Sequence, residues 1–247
     1  KYENKIILKI ILLAVFLRVN NYHENLWFDE YTTIWYSNID NNIFKDFARL
    51  SLEYQKSYEP TPKFYFILLQ FFFLTFGYDI LTAKIFNLII AMIGLIFAYK
   101  ISYFFLKSKK VRLVFFFLIS TNVYLIWQTQ EVRPHIFFYT CSMLQIFYYL
   151  KMENDKINKN YLSYLIFSLL TALFYPFIII IMLSQFIYFL CNQDNKKHFK
   201  KFFLINLIIA ILYFIISYDY IIGQISNKGN WAGIYASFFY SYFFNVY

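Results

Sequence analysis

Asp29 and Glu30 stand side by side in the stretch Leu26-Trp27-Phe28-Asp29-Glu30-Tyr31-Thr32-Thr33, shortly after an apolar run that ends near Val19. Adjacent acids set in an aromatic frame at the end of an apolar run are the least bland feature of the chain, and so are candidates for a site. Asp29 also suits a plainer task, capping a short helix that begins at Glu30, with Trp27, Trp35 and Tyr36 as interfacial aromatics,. The second polar group is Glu59-Pro60-Thr61-Pro62-Lys63, where two prolines fix an extended turn before an apolar helix,. Lys63 falls in the first turn of that helix and opposes its dipole, so it is either a snorkelling lysine or a phosphate contact. The third is Gln128-Thr129-Gln130-Glu131-Val132-Arg133-Pro134-His135. Glu131 and Arg133 can form a surface ion pair worth little, or a site, as charges wedged between apolar helices often do. Tyr175, beside Pro176, lies at the tip of an apolar hairpin, where a tyrosine is most often interfacial,.

The chain that positions these groups has 247 residues, 60% hydrophobic, 25% aromatic and 15% charged. Soluble domains run nearer half apolar and about a quarter charged. Runs of Leu, Ile and Phe longer than ordinary core helices, with a mean hydropathy of +0.48, predict an all-α, polytopic helical membrane protein,. With 5 Gly and 4 Pro there is little hairpin punctuation, and no alternating strand pattern of the barrel type,. The net charge of +9 sits in short clusters between apolar runs, which marks cytoplasmic loops and not a nucleic-acid surface,. Cys141 and Cys191 lie in separate apolar segments near opposite faces, so no disulfide between them and no thiolate metal site is expected,.

In chain order, Ile6–Val19 is the expected first span, with no small-x-small cleavage site behind it,. Residues 20–82 form the expected first extracytoplasmic loop, with interfacial helices over Tyr31–Ser37 and Ile43–Tyr54,. Crossings are expected over Ala83–Leu106, Leu113–Trp127, Pro134–Leu150, Tyr161–Tyr175, Phe177–Cys191 and Phe202–Ile222,. The basic clusters beginning at Lys1, Lys107, Lys151 and Lys196 should all be cytoplasmic,. Travelling from the acidic loop outside to Lys107 inside takes an odd number of crossings. Lys63–Gly77, about fifteen residues against the roughly 20 a span needs, should therefore lie in the interface or re-enter. Gln128–Pro134, Phe174–Pro176 and Gly223–Gly233 then share the outer face with Asp29. The chain starts with Lys and its last residues run into an apolar segment, so residues 1–247 are expected to form one transmembrane domain, truncated at the C-terminus.

These stretches make a pattern in order. A first span ending in Arg18, then Trp27-Phe28-Asp29-Glu30, then a Pro-x-Pro turn leading into an aromatic helix that ends Phe76-Gly77-Tyr78-Asp79, resembles the GT-C membrane glycosyltransferases. The resemblance is to the dolichyl-phosphate-mannose protein mannosyltransferase family and its bacterial relatives that modify lipid A with aminoarabinose. Glu59–Tyr65 is similar to the family's His-Pro-Pro stretch, Gln130–His135 to its Gln-Glu-Ala-Arg-Pro-Tyr stretch, and Phe174–Phe177 to its Thr-His-Tyr-Phe hairpin tip. Glu59 and Thr61 depart from the usual His and the second small or proline position, and His135 replaces the usual Tyr.

The resemblance implies a GT-C-like arrangement and a glycosyltransferase fed by a polyprenyl-phosphate-linked hexose or pentose. Its acceptor would be a glycan, lipid or protein. By resemblance, Asp29 is the general base and Glu30 assists it, or holds the acceptor or a divalent metal. Lys63 and Arg133 neutralise the departing lipid phosphate, Arg with a bidentate fork. Glu59, Gln130, Glu131, His135 and Tyr175 are the remaining substrate-binding residues. Asp29 and Glu59 are those that could hold a divalent metal, and no other cofactor is implied. The implied location is a bacterial inner membrane with the site outside the cytoplasm. A transporter or lipid flippase is the rival from another class. Such proteins tend to carry mid-span ionisable groups and internal repeats, whereas this chain shows no repeat and its Lys100 can snorkel,. A non-catalytic scaffold is a third reading.

Overall fold

The computed structural model describes residues 2–20, 26, 28–37, 64–155, 158–175, 177–191, 199–218 and 221. Among the described residues every regular element is a helix: α1 (Tyr2–Val19), α2 (Phe28–Tyr36), α3 (Phe64–Phe76), α4 (Ile80–Phe105), α5 (Lys109–Ser120), α6 (Val123–Gln130), α7 (His135–Asp155), α8 (Asn158–Phe174), α9 (Ile178–Cys191) and α10 (Phe199–Ile216). The expected interfacial helix Ile43–Tyr54 and the loop Gly223–Gly233 lie outside the described residues.

The breaks fall where side-chain chemistry demands them. Gly77, at φ 97°, ends α3 with its N–H on the Phe73 carbonyl at 2.8 Å, a left-handed turn that a residue without Cβ makes at little cost,. Asn122 caps α6, its side-chain oxygen accepting from the Leu125 amide at 3.0 Å,. That cap divides the expected Leu113–Trp127 crossing into α5 and α6, which meet at 46°. Pro134 stands immediately before α7, where its missing N–H costs no helical bond,.

Among the described residues two helices, α4 with 26 residues and α10 with 18, are long and apolar enough to cross a membrane, and the bent pair α5–α6 makes a third if it counts as one span. This is fewer than the apolar runs suggest. Charge and length account for the difference. α1 carries Glu3, Lys5, Lys9 and Arg18 within its 18 residues, α8 has 17 residues, α9 has 14, and α7 is diluted by Thr, Ser, Gln and Tyr.

α3 lies across α4. Tyr65 donates its hydroxyl to Asn87 Oδ1 at 3.2 Å, and Phe72, about two turns further along α3, stacks on Phe86 with centroids 4.4 Å apart,. With 13 residues, α3 is shorter than the roughly 20 a span needs,.

α7 packs against α4 on one side and α8 on the other; α8 also carries α10 and α9, while α1 packs on α5 and α6. The α4–α7 contact is close because Gly94 has no side chain. A methyl group there would meet Thr140 Oγ1 at 2.5 Å and Tyr139 Cε1 at 2.9 Å, and Thr140 already donates to the Ile90 carbonyl at 2.9 Å. Gly94→Leu should therefore destabilise the fold by about 1–3 kcal/mol despite leucine's better helix propensity. A lowered melting temperature in detergent checks this; unchanged melting would mean that the two helices are free to part.

The two ends of the bundle differ. At one end Glu3 gathers α1, α4 and α5. Its Oε2 pairs with Lys109 Nζ at 2.9 Å, and its Oε1 accepts from the Tyr99 hydroxyl at 2.7 Å. The Lys109 hydrogen bond, with Tyr99 second, holds the Glu3 carboxyl below its usual range. Arg112 lies over the Tyr103 ring at 4.2 Å and donates to the Leu106 and Lys107 carbonyls. This end carries the cluster Lys107, Lys109, Lys110 and Arg112. At the other end a core of Ile34, Tyr65, Phe66, Leu69, Phe73, Ala83, Val132, Phe137 and Phe174 draws together α2, α3 and the starts of α4 and α7 with the last residue of α8.

Candidate functional site

The residues singled out in the sequence come together at this second end. α2 brings Asp29 and Glu30 as the second and third residues of a helix that starts at Phe28, so Asp29 sits in the first turn and does not precede the helix as a cap. The side chain of Asp29 lies outside what the structure describes. Glu30 is buried, and its Oε1 accepts the Val132 amide at 2.7 Å. This bond ties α2 to the turn between α6 and α7, which supplies Glu131, Arg133 and His135. Backbone amides in such a turn have no helical partner, and a carboxylate is a strong acceptor for one. Glu30→Gln keeps an oxygen for Val132 and should leave stability nearly unchanged. Glu30→Ala buries that amide without its partner and should cost about 1–3 kcal/mol. Equal melting of the two variants would show that the bond anchors nothing.

The same turn is held from three more directions. Gln130 Nε2 donates to the Arg18 carbonyl at 3.1 Å and to the Leu17 carbonyl at 3.4 Å, fastening α6 to the last turn of α1. Asn87 Nδ2 donates to the Glu131 carbonyl, while Asn87 Oδ1 takes the Tyr65 hydroxyl. One asparagine thus links α3, α4 and the turn. Tyr65 is fully buried, and the opposite charges of Glu30 and Arg133 both act on its phenol. Arg18 is also fully buried. It donates through Nε to Thr129 Oγ1 at 3.3 Å and through one terminal nitrogen to the Ser120 carbonyl at 2.8 Å and the Ala14 carbonyl at 3.0 Å. It therefore grips α5 and α6 on both sides of their bend.

His135 and Tyr175 meet across the gap between the start of α7 and the residue that follows α8, with ring centroids 5.5 Å apart. Tyr175 further packs on Phe138 and stacks on Phe177. Below this pair opens a cavity of about 470 Å³ between α6, α7 and α9, whose lining includes His135 and Tyr175 together with Gln128, Tyr139 and Ser142. That volume lies in the range of pockets that hold small ligands.

Of the residues expected at the site, then, Glu30, Gln130, Glu131, Arg133, His135 and Tyr175 are brought to one end of the bundle, and Asp29 belongs to the helix that Glu30 ties there. Lys63 and Glu59 lie outside the described residues. Among the described residues no group of three or more His, Cys, Asp or Glu is placed to hold a metal ion. The residues that could hold one by resemblance, Asp29 and Glu59, have no described side chains. Sequence reasoning named Arg18 and Gln128 without giving either a role at the site, and passed over Asn87, Tyr139 and Ser142, and also Lys84, which is buried in the first turns of α4. For Arg18 a signal existed: it is a lone cation at the end of the apolar run Ile6–Val19, away from the cluster Lys1, Lys5 and Lys9 at its start. No protein-family model, no curated protein and no solved structure matches this chain.

Proposed function

We propose that this chain is a membrane-embedded glycosyltransferase with a GT-C-like arrangement, transferring a sugar from a polyprenyl-phosphate donor to a hydroxyl on the extracytoplasmic face. The observation that supports it is the Glu30–Val132 bond, because it sets the Asp29 helix against the Gln130–His135 turn, two stretches far apart in sequence that the family resemblance assigns to one site.

The chemistry follows from these groups. The Asp29 carboxylate takes the proton of the acceptor hydroxyl as its oxygen attacks C1 of the sugar. The bond between C1 and the phosphate oxygen breaks, and the lipid phosphate leaves with the electron pair. Arg133, a planar fork suited to two phosphate oxygens, and Lys63 offset that growing negative charge. Glu30, bound to the Val132 amide, positions α2 and so the base carried one residue before it. His135, Tyr175 and Gln130 border the space where the substrates would lie. No step here is routed through a metal.

A transporter or lipid flippase draws some support from the buried polar network of α7–α10. Gln145 and Gln185 exchange side-chain hydrogen bonds at 2.6 and 3.0 Å, and Tyr164 reaches Gln185 Oε1 at 3.3 Å and Asn206 Oδ1 at 3.1 Å. These groups satisfy one another, as interhelical polar residues in membranes commonly do, so they serve packing without a substrate path.

The test is transfer of a radiolabelled sugar from polyprenyl phosphate in membranes containing the full-length protein. Arg133→Lys keeps the charge and loses the fork, so donor use should weaken while protein abundance holds. Absence of transfer from any polyprenyl-phosphate sugar, in membranes where the protein is folded, would overturn the proposal. A fall in abundance that tracks the fall in activity would assign Arg133 to the fold.

A further inference from the structure

We infer that the basic end of the bundle binds the phosphate headgroups of anionic phospholipids, with Lys100 and Lys151 on the Phe147 ring at its centre. The inference rests on the membrane part of the proposed function and not on sugar transfer.

A chain of contacts joins the cations of this end from helix to helix. Glu3 ties the start of α1 to Lys109 of α5 and to Tyr99 of α4. Lys100, next after Tyr99, lies over the Phe97 ring at 4.6 Å and over the Phe147 ring of α7 at 5.9 Å. Lys151, one turn beyond Phe147, reaches the same ring at 5.9 Å. The Lys151 carbonyl accepts from Asn160 Nδ2 at 3.4 Å, which brings in the start of α8. Beside Asn160, Tyr161 carries Lys201 of α10 over its ring at 3.9 Å. Basic clusters spread along the whole chain thus form one positive face.

What these cations rest on sets the charge of the partner. Arg112 lies over the Tyr103 ring, and Lys100 and Lys151 share the ring of Phe147. A ring face attracts a cation without cancelling its charge, as a carboxylate would. Among the described residues no carboxylate pairs with Lys100 or Lys151. Two ammonium groups drawn to one ring repel each other, and an anion beside them offsets that repulsion.

What surrounds the cations sets its class. Tyr103 and Phe105, the latter 67% exposed, stand just before Lys107, and the exposed Phe203 and Leu204 follow Lys200 and Lys201 in α10. A nucleic acid or an acidic protein would leave these apolar side chains in water. A phospholipid meets both, its phosphate at the lysines and its alkyl chains along the apolar flanks. The two helices long and apolar enough to cross a membrane agree with this, since α4 ends at the positive face and α10 begins there.

The experiment titrates the full-length protein in dodecyl maltoside with phosphatidylglycerol or with phosphatidylcholine of the same chains, and counts retained lipids by native mass spectrometry. Phosphatidylglycerol should be retained about twentyfold more tightly, near fivefold from each of two lysines. Rising salt should reduce that preference. Lys100→Gln combined with Lys151→Gln should remove most of it, whereas Lys100→Arg combined with Lys151→Arg should keep it.

Equal retention of the two lipids by the unmodified protein would overturn the inference. So would an undiminished preference in the double glutamine variant, which would put the anion elsewhere. Inorganic phosphate that displaces phosphatidylglycerol as well as the lipid itself does would overturn it in favour of a small free anion. Displacement by a short RNA or by polyglutamate at lower concentration than by phosphatidylglycerol would overturn it in favour of a macromolecular partner. The lipid and competitor arms use the unmodified protein, so they decide the matter even where a variant folds poorly. Lipid counting needs no turnover, and extraction of native membranes with carbonate tests the membrane reading separately, so the two can fail independently.

Discussion

Asp29→Asn should lower sugar transfer by the full-length protein about 10²- to 10⁴-fold, the usual worth of a general base. Asparagine has nearly the same shape and suits the first turn of a helix, so protein level and melting should stay close to those of the parent. It cannot take the acceptor proton. Glu30→Gln should cost far less, because an amide oxygen still accepts from Val132. The contrast between these neighbours is the informative result, since a transporter or scaffold gives mild effects for both. Transfer within a few-fold of the parent in Asp29→Asn, at equal protein level, would remove Asp29 from the chemistry.

Arg18→Ala should be the most damaging change to the fold, costing about 3 kcal/mol or more. Two of its hydrogen bonds run to other helices, to Thr129 Oγ1 in α6 and to the Ser120 carbonyl in α5, and bonds from a charged donor are worth about 1.5–3 kcal/mol each,. Truncation also empties the space of one of the largest fully buried side chains in the protein. Arg18→Lys keeps the charge but reaches in one direction only, so it should fall between the two. Thermal or SDS-induced unfolding of the purified protein measures all three. A loss under about 0.5 kcal/mol for the alanine variant, the range of an ordinary surface change, would show that the guanidinium clamps nothing.

The helices themselves were legible because long apolar runs interrupted by Gly77 and Pro134 leave the chain few alternatives. The break at Thr121–Asn122 was not, since hydropathy averages over it and only the local bond from the Leu125 amide to Asn122 reveals the cap. Nor does hydropathy show that Arg18 of α1 and Gln145 of α7 turn inward to other helices. At the site, the sequence named the turn Gln130–His135 and the tyrosine at the hairpin tip, because polar residues between apolar runs stand out. It could not name Tyr65 or Asn87, whose roles come from a contact between α3 and α4 that no local pattern encodes. It likewise missed Tyr139 and Ser142, because a cavity is a property of three helices together.

The kink between α5 and α6 has a bearing on the order in which the fold can be completed. A helix that stops and restarts away from water leaves a carbonyl with no amide to serve it. At Ser120 that carbonyl is met by the guanidinium of Arg18. Synthesis runs from the N-terminus, so α1 leaves the ribosome long before the kinked pair does. The donor is therefore already made when the segment that depends on it emerges. A chain made without α1 would leave the Ser120 carbonyl without that guanidinium.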